Sequence, residues 1–487
     1  MKVYLHLSIE SDAGHIEEIK EVITLERPTK LTPERVGLSL AESKQVLHEV
    51  QQILVAHQTE AYVADQRKCP DCGVERKRKG THMLVYRTLF GKLKIVSPRL
   101  YSCPCRQRAM RSSSPLADVL KDRTAPELVY LESKFAALMS YGLTVEVLAE
   151  VLPFTRERSV ASVHRNLQRV AERAEHELGE EQGTFLTHCQ RDLDALPPPA
   201  APITVGLDGG YVHAKEQRSR TEGWFEVIVG KSLPQEGAGK CLAFVQKYDQ
   251  KPKRRLYEVL QAQGVQANQS VIFLSDGGET VRNLPEFLIP ESEHWLDWFH
   301  ITLRLPGSGQ MIKGLAEVPE SSALSTSLPP DGECTIERVS IAALEKTRES
   351  MKWHVWNGNV RRALERTEDL LDDLETWPAT ADKVVKLKKA VNEFASYIAL
   401  NQASIPNYGD RRRHGERIAS SFVESAVNQV VSKRMGKKQH MRWGERGAHL
   451  RLQVRTQVLN GDLRQWFARW YPSMEDGAEP VLLDEAA

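Results

Sequence analysis

Apolar residues recur along this chain with two periods, and the places where one gives way to the other mark out its parts. Residues 3–9 alternate as a strand does, whereas residues 40–65 carry apolar side chains near helical spacing. A β-like stretch at 83–96 predicts a hairpin, and helices are predicted at 128–138, 144–152 and 159–177. Leu196-Pro-Pro-Pro-Ala-Ala-Pro202 then stiffens the chain and removes backbone donors, which predicts a domain boundary. Beyond it come strands at 203–207, 224–230 and 240–247, a helix at 254–263 and a strand at 271–275, and 293–302 suits a further short strand. A Gly-, Pro- and Ser-rich loop is expected at 306–336, charged helices at 339–375 and 379–401, and a last helical stretch at 418–431.

Composition narrows the classes. At 487 residues the chain accommodates three or four domains, and 41% hydrophobic with 27% charged residues is an ordinary globular balance. No run approaches the roughly 20 apolar residues that cross a bilayer, and the first residues do not read as a secretory leader, so a cytoplasmic protein with no membrane partner is expected. The net charge of +1 conceals two basic segments. Residues 67–123 hold 15 Lys/Arg against 4 Asp/Glu, and residues 410–469 hold 14 against 5. Two such surfaces in an otherwise acidic chain point to a polyanion, although a solvated charged face is the plainer explanation for either alone.

Seven cysteines and no leader argue against a disulfide framework. Four of them cluster: Cys69-Pro-Asp-Cys72, then 30 residues, then Cys103-Pro-Cys105. Two cysteine pairs on turns joined by a hairpin read as a zinc ribbon, in which four thiolates satisfy a structural Zn²⁺. The alternative is four reduced cysteines that merely pack, and His82 is a possible substitute ligand. Farther on, the helices at 144–152 and 159–177 flank a short turn in the manner of a helix-turn-helix. Ser159 would cap the second helix, leaving Ser162, His164, Arg165 and Arg169 for a DNA groove. Any small helical bundle produces the same pattern.

Three carboxylates stand out. Asp208 ends the apolar run 203–207 and precedes Gly209-Gly210, Asp276 ends the run 271–275 and precedes Gly277-Gly278, and Glu424 lies on the late helix. Two strand-end acids and a helical one can hold two Mg²⁺ (or Mn²⁺) ions for phosphodiester chemistry, the glycines letting a substrate backbone approach. Singly, each has a plainer role: turn residues for the aspartates, a solvated side chain for the glutamate. Glu279, Glu416 and Glu445 are the rivals. A three-strand meander followed by a helix and a strand is the order of an RNase H-like sheet. The fold class expected is therefore multidomain α+β.

Five passages resemble the DDE transposases of bacterial insertion sequences, most closely the ISKra-type group: Gly206-Leu-Asp-Gly-Gly-Tyr-Val212, Leu274-Ser-Asp-Gly-Gly-Glu279, Trp295-Leu-Asp-Trp-Phe-His300, Ser421-Phe-Val-Glu-Ser-Ala-Val-Asn428 and Lys433-Arg-Met-Gly-Lys-Lys-Gln-His-Met-Arg-Trp443. The resemblance implies an RNase H-like catalytic core over 202–305 and 416–470, with Asp208, Asp276 and Glu424 as its catalytic acids. The 148-residue interval from Asp276 to Glu424 would hold an all-helical insertion over 306–415. A zinc ribbon (67–112) and a helical DNA-binding region (113–195) would precede the core. The role of residues 1–66 is left open, and 471–487 are expected to form a disordered acidic tail. Asp297-x-x-His300 is similar to the C/DxxH signature of Mutator-like transposases, so His300 would position DNA or brace the fold. Lys433, Arg434, Lys437, Lys438, His440, Arg442 and Trp443 would grip DNA beside the acids, core packing being the alternative for Trp443. The activity implied is cleavage and strand transfer at terminal inverted repeats. The protein would act on double-stranded DNA ends and targets as a dimer or larger assembly, nucleoid-associated while bound. A catalytically silent DNA-binding relative and an RNase H-like nuclease without strand transfer are the alternatives.

Overall fold

Strand β1 (Lys2–Glu10) does not stand alone: it pairs antiparallel with β2 (Ile16–Glu26), whose many acidic residues hide its alternation. This is a computed structural model, and it describes residues 1–10, 16–27, 29–106, 111–153, 159–182, 185, 190–215, 223–278, 292–315, 340–375, 382–436 and 441–474. They fall into two units, Met1–Ala174 together with the residues from Gln457 onward, and Glu175–Thr456. The boundary precedes the proline-rich stretch expected to hold it. That stretch is tied down within the second unit, where Asn268 Nδ2 donates to Pro197 O (2.9 Å) and Gln269 Nε2 to Ala201 O (2.6 Å).

In the first unit, helix α1 (Leu40–Gln66) starts at a reciprocal cap: Ser39 Oγ accepts from Glu42 N–H, and Glu42 Oε2 accepts from Ser39 N–H. Strands β3 (Arg78–Thr88) and β4 (Gly91–Tyr101) form the expected hairpin, extended by β5 (Ser112–Ser113). Leu93 and Ile95 of β4 alternate inward against Val63 of α1 and Leu116 of α2 (Pro115–Val119), so the hairpin has a small apolar core of its own. Helices α3 (Pro126–Leu138), α4 (Tyr141–Val151) and α5 (Val160–Glu177) lie within a residue or three of their predicted bounds. The helix Leu463–Trp470 belongs to this unit too, with Phe467 edge-on to Tyr130 at 5.4 Å and Arg464 paired with Glu127.

The second unit opens with the short helix α6 (Gln190–Asp194) and is built on a five-stranded sheet of order β10-β9-β6-β7-β8. Strands β6 (Ile203–His213), β7 (Trp224–Leu233) and β8 (Lys240–Val245) form an antiparallel meander; β9 (Val271–Ser275) and β10 (Glu293–Leu296) add parallel on the other side of β6. Odd-numbered residues of β6 (Ile203, Val205, Leu207) face helix α7 (Pro252–Gln261) through Leu256, Val259 and Leu260. The opposite face meets α13 (Ser421–Val427), with Phe422 against Ile272, Leu274 and Trp295.

Between β10 and α13 lie α8 (Trp298–Lys313), α9 (Ile341–Trp356), α10 (Val360–Glu375), α11 (Asp382–Leu400) and α12 (Tyr408–Arg413). Val360, Ala363, Thr367, Leu370 and Leu374 mark the buried stripe of α10 at helical spacing. Two expectations fail here. The stretch 293–302 is strand only to Leu296, because Asp297 caps a helix at that point, and this helix runs on through the first residues of the predicted loop to Lys313. The block 339–375 is two helices, broken at Gly358, whose φ is +71°. After α13 the chain passes through a π-helical stretch, Asn428–Ser432, and a turn, Lys433–Met435, to helix α14 (Glu445–Asn460). The described residues are thus a mixture of helices and sheets, and none of their helices is long and apolar enough to cross a membrane.

Candidate metal centre and active site

The turn after α1 brings its two cysteines together by backbone bonds. Cys69 N–H donates to Val74 O (3.0 Å) and Gly73 N–H to Cys69 O (2.9 Å), with Gly73 at φ +70°, where a side chain would be strained. The other pair follows β4. The sulfurs of Cys69 and Cys105 are 3.6 Å apart and those of Cys72 and Cys103 3.4 Å, and all four lie within 4.8 Å of one another. These separations far exceed a disulfide bond of about 2.05 Å. They approach the roughly 3.8 Å between sulfurs on a tetrahedral ion with Zn–S bonds of ~2.3 Å. Backbone N–H groups of Asp71 and Cys72 draw the Cys69 thiol down to about 7, toward the thiolate a metal needs. Sharing protons with Cys103 and Cys72 pushes the Cys105 thiol up. The four cysteines could therefore hold a metal ion; His82 is not part of the group.

The carboxylates gather on the second unit's sheet. Asp208 does not end its strand: β6 continues through Gly209-Gly210 to His213 because β7 pairs with it throughout. What ends is β9, so among the described residues no strand pairs with that edge of β6 between Gly206 and the Trp443 bridge at its far end. The parallel register runs to Gly206 and Leu274, and Asp276 follows just past the end of β9, near enough for its charge to act on Asp208; the ligand atoms of Asp208, Asp276 and Glu424 do not form a group within 4.8 Å of one another. Gly277, at φ +82°, turns the chain there, and Gly278 N–H donates to Asp276 Oδ1 (3.0 Å). Glu424 arrives on α13 from the sheet's other layer. Glycines on that face make room for the helix: a Cβ on Gly206 would overlap Val423, and one on Gly210 would sit 3.3 Å from Val427. Gly210 therefore admits a helix of this same chain, rather than the substrate backbone expected of it.

Burial raises the carboxyl pKa of Asp208, with Asp276 and Asp297 adding to the rise, while Gly209 N–H (2.7 Å) and His300 oppose it. Glu424 is likewise raised, by burial first, with His300 opposing and Asp208 and Asp297 adding. The three acids and His300 thus share one electrostatic site. A fourth carboxylate was missed. Glu226 of β7 reaches over Gly209, where an added Cβ would lie 2.9 Å from its Oε1, and its pKa is raised by burial, then by Asp276 and Asp208. The available signal was a lone charge inside the apolar run Trp224-Phe-Glu-Val-Ile-Val-Gly230.

His300 lies on α8, not on a strand. Its neighbour Asp297 is fully buried and caps that helix, and His300 Nε2 is 3.6 Å from Asp297 Oδ2. The helical segment between the acids also touches the site. Tyr397 donates its hydroxyl to Asp276 O (3.0 Å), with Arg304 stacked on its ring at 4.0 Å, and Asn401 packs on Gly277. No sequence pattern announced Tyr397 or Asn401.

The expected DNA-contacting residues divide. Arg434 and Trp443 are buried together, the Arg434 guanidinium 5.3 Å from the Trp443 ring centre, so the surface role expected of both is corrected to an interior one. The Trp443 backbone pairs with the end of β6, accepting from Lys215 N–H and donating to His213 O. Lys433 and Arg442 are exposed; Lys437, Lys438 and His440 lie outside the described residues, as does Glu279. Ser159 does accept from Ser162 N–H (3.2 Å), Arg165 is exposed, and Arg169 is exposed but ion-paired with Asp122. Of the other rivals, Glu416 pairs with Arg411, and Glu445 sits exposed in the first turn of α14. Glu175, Asp249 and His449 have ligand-like spacing, but Arg255 takes up their acceptors, bonding both carboxylates in two-pronged fashion. That group is a buried ion-pair network. Comparison with protein-family models and with curated proteins finds no match.

Proposed function

We propose that this chain is a metal-dependent DNA-cleaving and strand-transferring enzyme of the DDE transposase kind. The observation that carries the proposal is that Asp208 on β6, Asp276 just past the end of the neighbouring parallel strand β9, and Glu424, on a helix admitted by Gly206 and Gly210, come near enough to act on one another's charge. An antiparallel meander with two parallel strands added beside its first strand is also the strand order expected of an RNase H-like core. Carboxylate oxygens are the hard donors that Mg²⁺ or Mn²⁺ prefers. When bound, such ions supply Lewis acidity and activate the attacking water or 3′-hydroxyl.

The protein's own residues do the rest. Asp208 presents its oxygens from the sheet, Asp276 from the turn after β9, and Glu424 closes the site from the helix side, while Glu226, over Gly209 on the sheet's other face, adds only to the negative field. His300 offsets the carboxylates' field where a phosphate must enter. Lys433 and Arg442, with Arg165 and the basic hairpin, suit DNA phosphates. The four cysteines suit a structural Zn²⁺ that holds the hairpin in shape. The substrates would be the ends of a mobile element and its target duplex, brought together by two or more copies of the chain.

The test uses duplexes spanning the DNA that flanks the gene, with Mn²⁺. The wild type should cut one strand at a defined position. Asp208→Asn, Asp276→Asn and Glu424→Gln should each bind the DNA normally and cut at least about 10³-fold more slowly. Sequence-specific binding without cutting by the wild type would leave a DNA-binding protein and remove the enzymatic proposal. Cutting without joining to a target would leave a nuclease.

A further inference from the structure

We infer that Asp297 is a positioning residue that sets the second and third acids relative to one another. Its backbone N–H donates to the carbonyl of Ser275 (2.8 Å), the residue before Asp276. Its Oδ1 accepts from Phe299 N–H (2.8 Å), which anchors α8, and from Ser420 N–H (3.0 Å). Its Oδ2 accepts the Ser420 hydroxyl. Ser420 in turn begins the helix of the third acid, its carbonyl accepting from Val423 N–H (2.7 Å) and Glu424 N–H (3.3 Å). A parallel stitch, Trp298 N–H to Ile418 O (3.1 Å), lies alongside. Two acids 148 residues apart in the chain are thus joined through one fully buried residue, its backbone bonded next to Asp276 and its side chain to the serine that begins the helix of Glu424.

The chemistry of the link explains the residue types. A carboxylate has lone pairs for three donors at once, which an amide or hydroxyl side chain cannot match in this arrangement. Holding by hydrogen bonds to fixed backbone groups confines direction as well as distance, and reacting groups misplaced by about 1 Å lose on the order of 10²-fold in rate. The same carboxylate faces His300 Nε2, so one group orients both the helix of Glu424 and the imidazole.

The inference rests on the proposed function for its catalytic consequence, but its structural part is measurable without activity. Hydrogen exchange should report the clamp: in Ser420→Ala, the amides of Val423 and Glu424 should exchange about 10-fold faster, with α7 unaltered. In cleavage assays Ser420→Ala should lower kcat by roughly 10- to 100-fold at unchanged DNA KM and melting temperature, and Ser420→Thr should restore it. Asp297→Asn should do the same more severely, and Ser420→Ala remains decisive should that variant fail to fold. Unchanged exchange in Ser420→Ala overturns the inference. So does a loss of kcat that Ser420→Thr does not rescue and that tracks a lowered melting temperature. Faster exchange in a protein whose wild type never cuts DNA would uphold the clamp and overturn the proposed function instead.

Discussion

The cysteine cluster and the carboxylate cluster are two ways of collecting ligands. The four cysteines come from turns that precede and follow a single hairpin, at its open end, with Cys69 and Cys105 only 36 residues apart. The carboxylates come from β6, the turn after β9 and α13, and span 216 residues. Thiolates need a metal to justify their proximity, and the small hairpin core has little else to hold it. The carboxylates rest on a scaffold of the chain's own packing and hydrogen bonds: the sheet, the glycine face and the Asp297 link. Removing a metal should therefore damage the first region's fold and chiefly the second region's electrostatics.

Chelation is the sharpest way to break this contrast. Structural zinc contributes on the order of 10–16 kcal/mol to small modules. Strong chelators, or Cys103→Ser, should release zinc and abolish cooperative melting of the hairpin while the second unit's transition persists. Calorimetry with colorimetric zinc release measures both, and an unchanged melting profile would reduce the cysteines to packing residues.

Scaffold damage comes next. Gly206→Ala forces a methyl group into Val423, costing about 1–3 kcal/mol as overpacking does. It should also lift Glu424 away from Asp208, so cleavage should fall further than stability does. Equal losses would mean that the close approach of helix and strand serves stability alone.

The smallest effect tests the electrostatics. Asp208, Glu226 and Glu424 all have raised pKa values. Groups raised in this way favour the folded state at acid pH, and that contribution is lost as pH rises through the raised values. Mn²⁺ opposes the loss. It should raise the second unit's melting temperature by a few degrees, an effect of about 1 kcal/mol, near pH 7.5, and not near pH 4. Asp208→Asn should raise the metal-free melting temperature and remove the Mn²⁺ response. A response equal at both pH values would point to binding elsewhere.

The two regions also differ in how well the chain announced them. Cysteine spacing is local, so the hairpin and its four sulfurs were legible. The apolar runs ending at Leu207 and Ser275 disclosed the strands of Asp208 and Asp276, since buried strands are written in consecutive residues. Register was not: that Asp276 comes near Asp208 depends on how β9 pairs with β6. Glu226 goes unmarked in the sequence, because its reach over Gly209 is a cross-strand property. Arg434 and Trp443 were misjudged because a basic, aromatic stretch looks alike whether it faces solvent or packs as Arg434 does on Trp443. Asp297 was noticed for its spacing to His300, yet its partner Ser420 lies more than 120 residues away.

The glycines on either side of Asp208 have a use outside this molecule. Gly206 and Gly210 stand two residues before and after the acid, on its own face of the strand, and each vacates space that α13 fills. The pattern Gly-x-Asp-x-Gly within an apolar run is thus a text marker for a strand overlaid by a helix. A genome scanned for aspartate before glycine would return turns in great number. Scanned for an acid flanked at both second neighbours by residues without side chains, and followed far downstream by a valine-rich helix bearing a glutamate, it would return candidate sites of this build, even between chains too diverged to align.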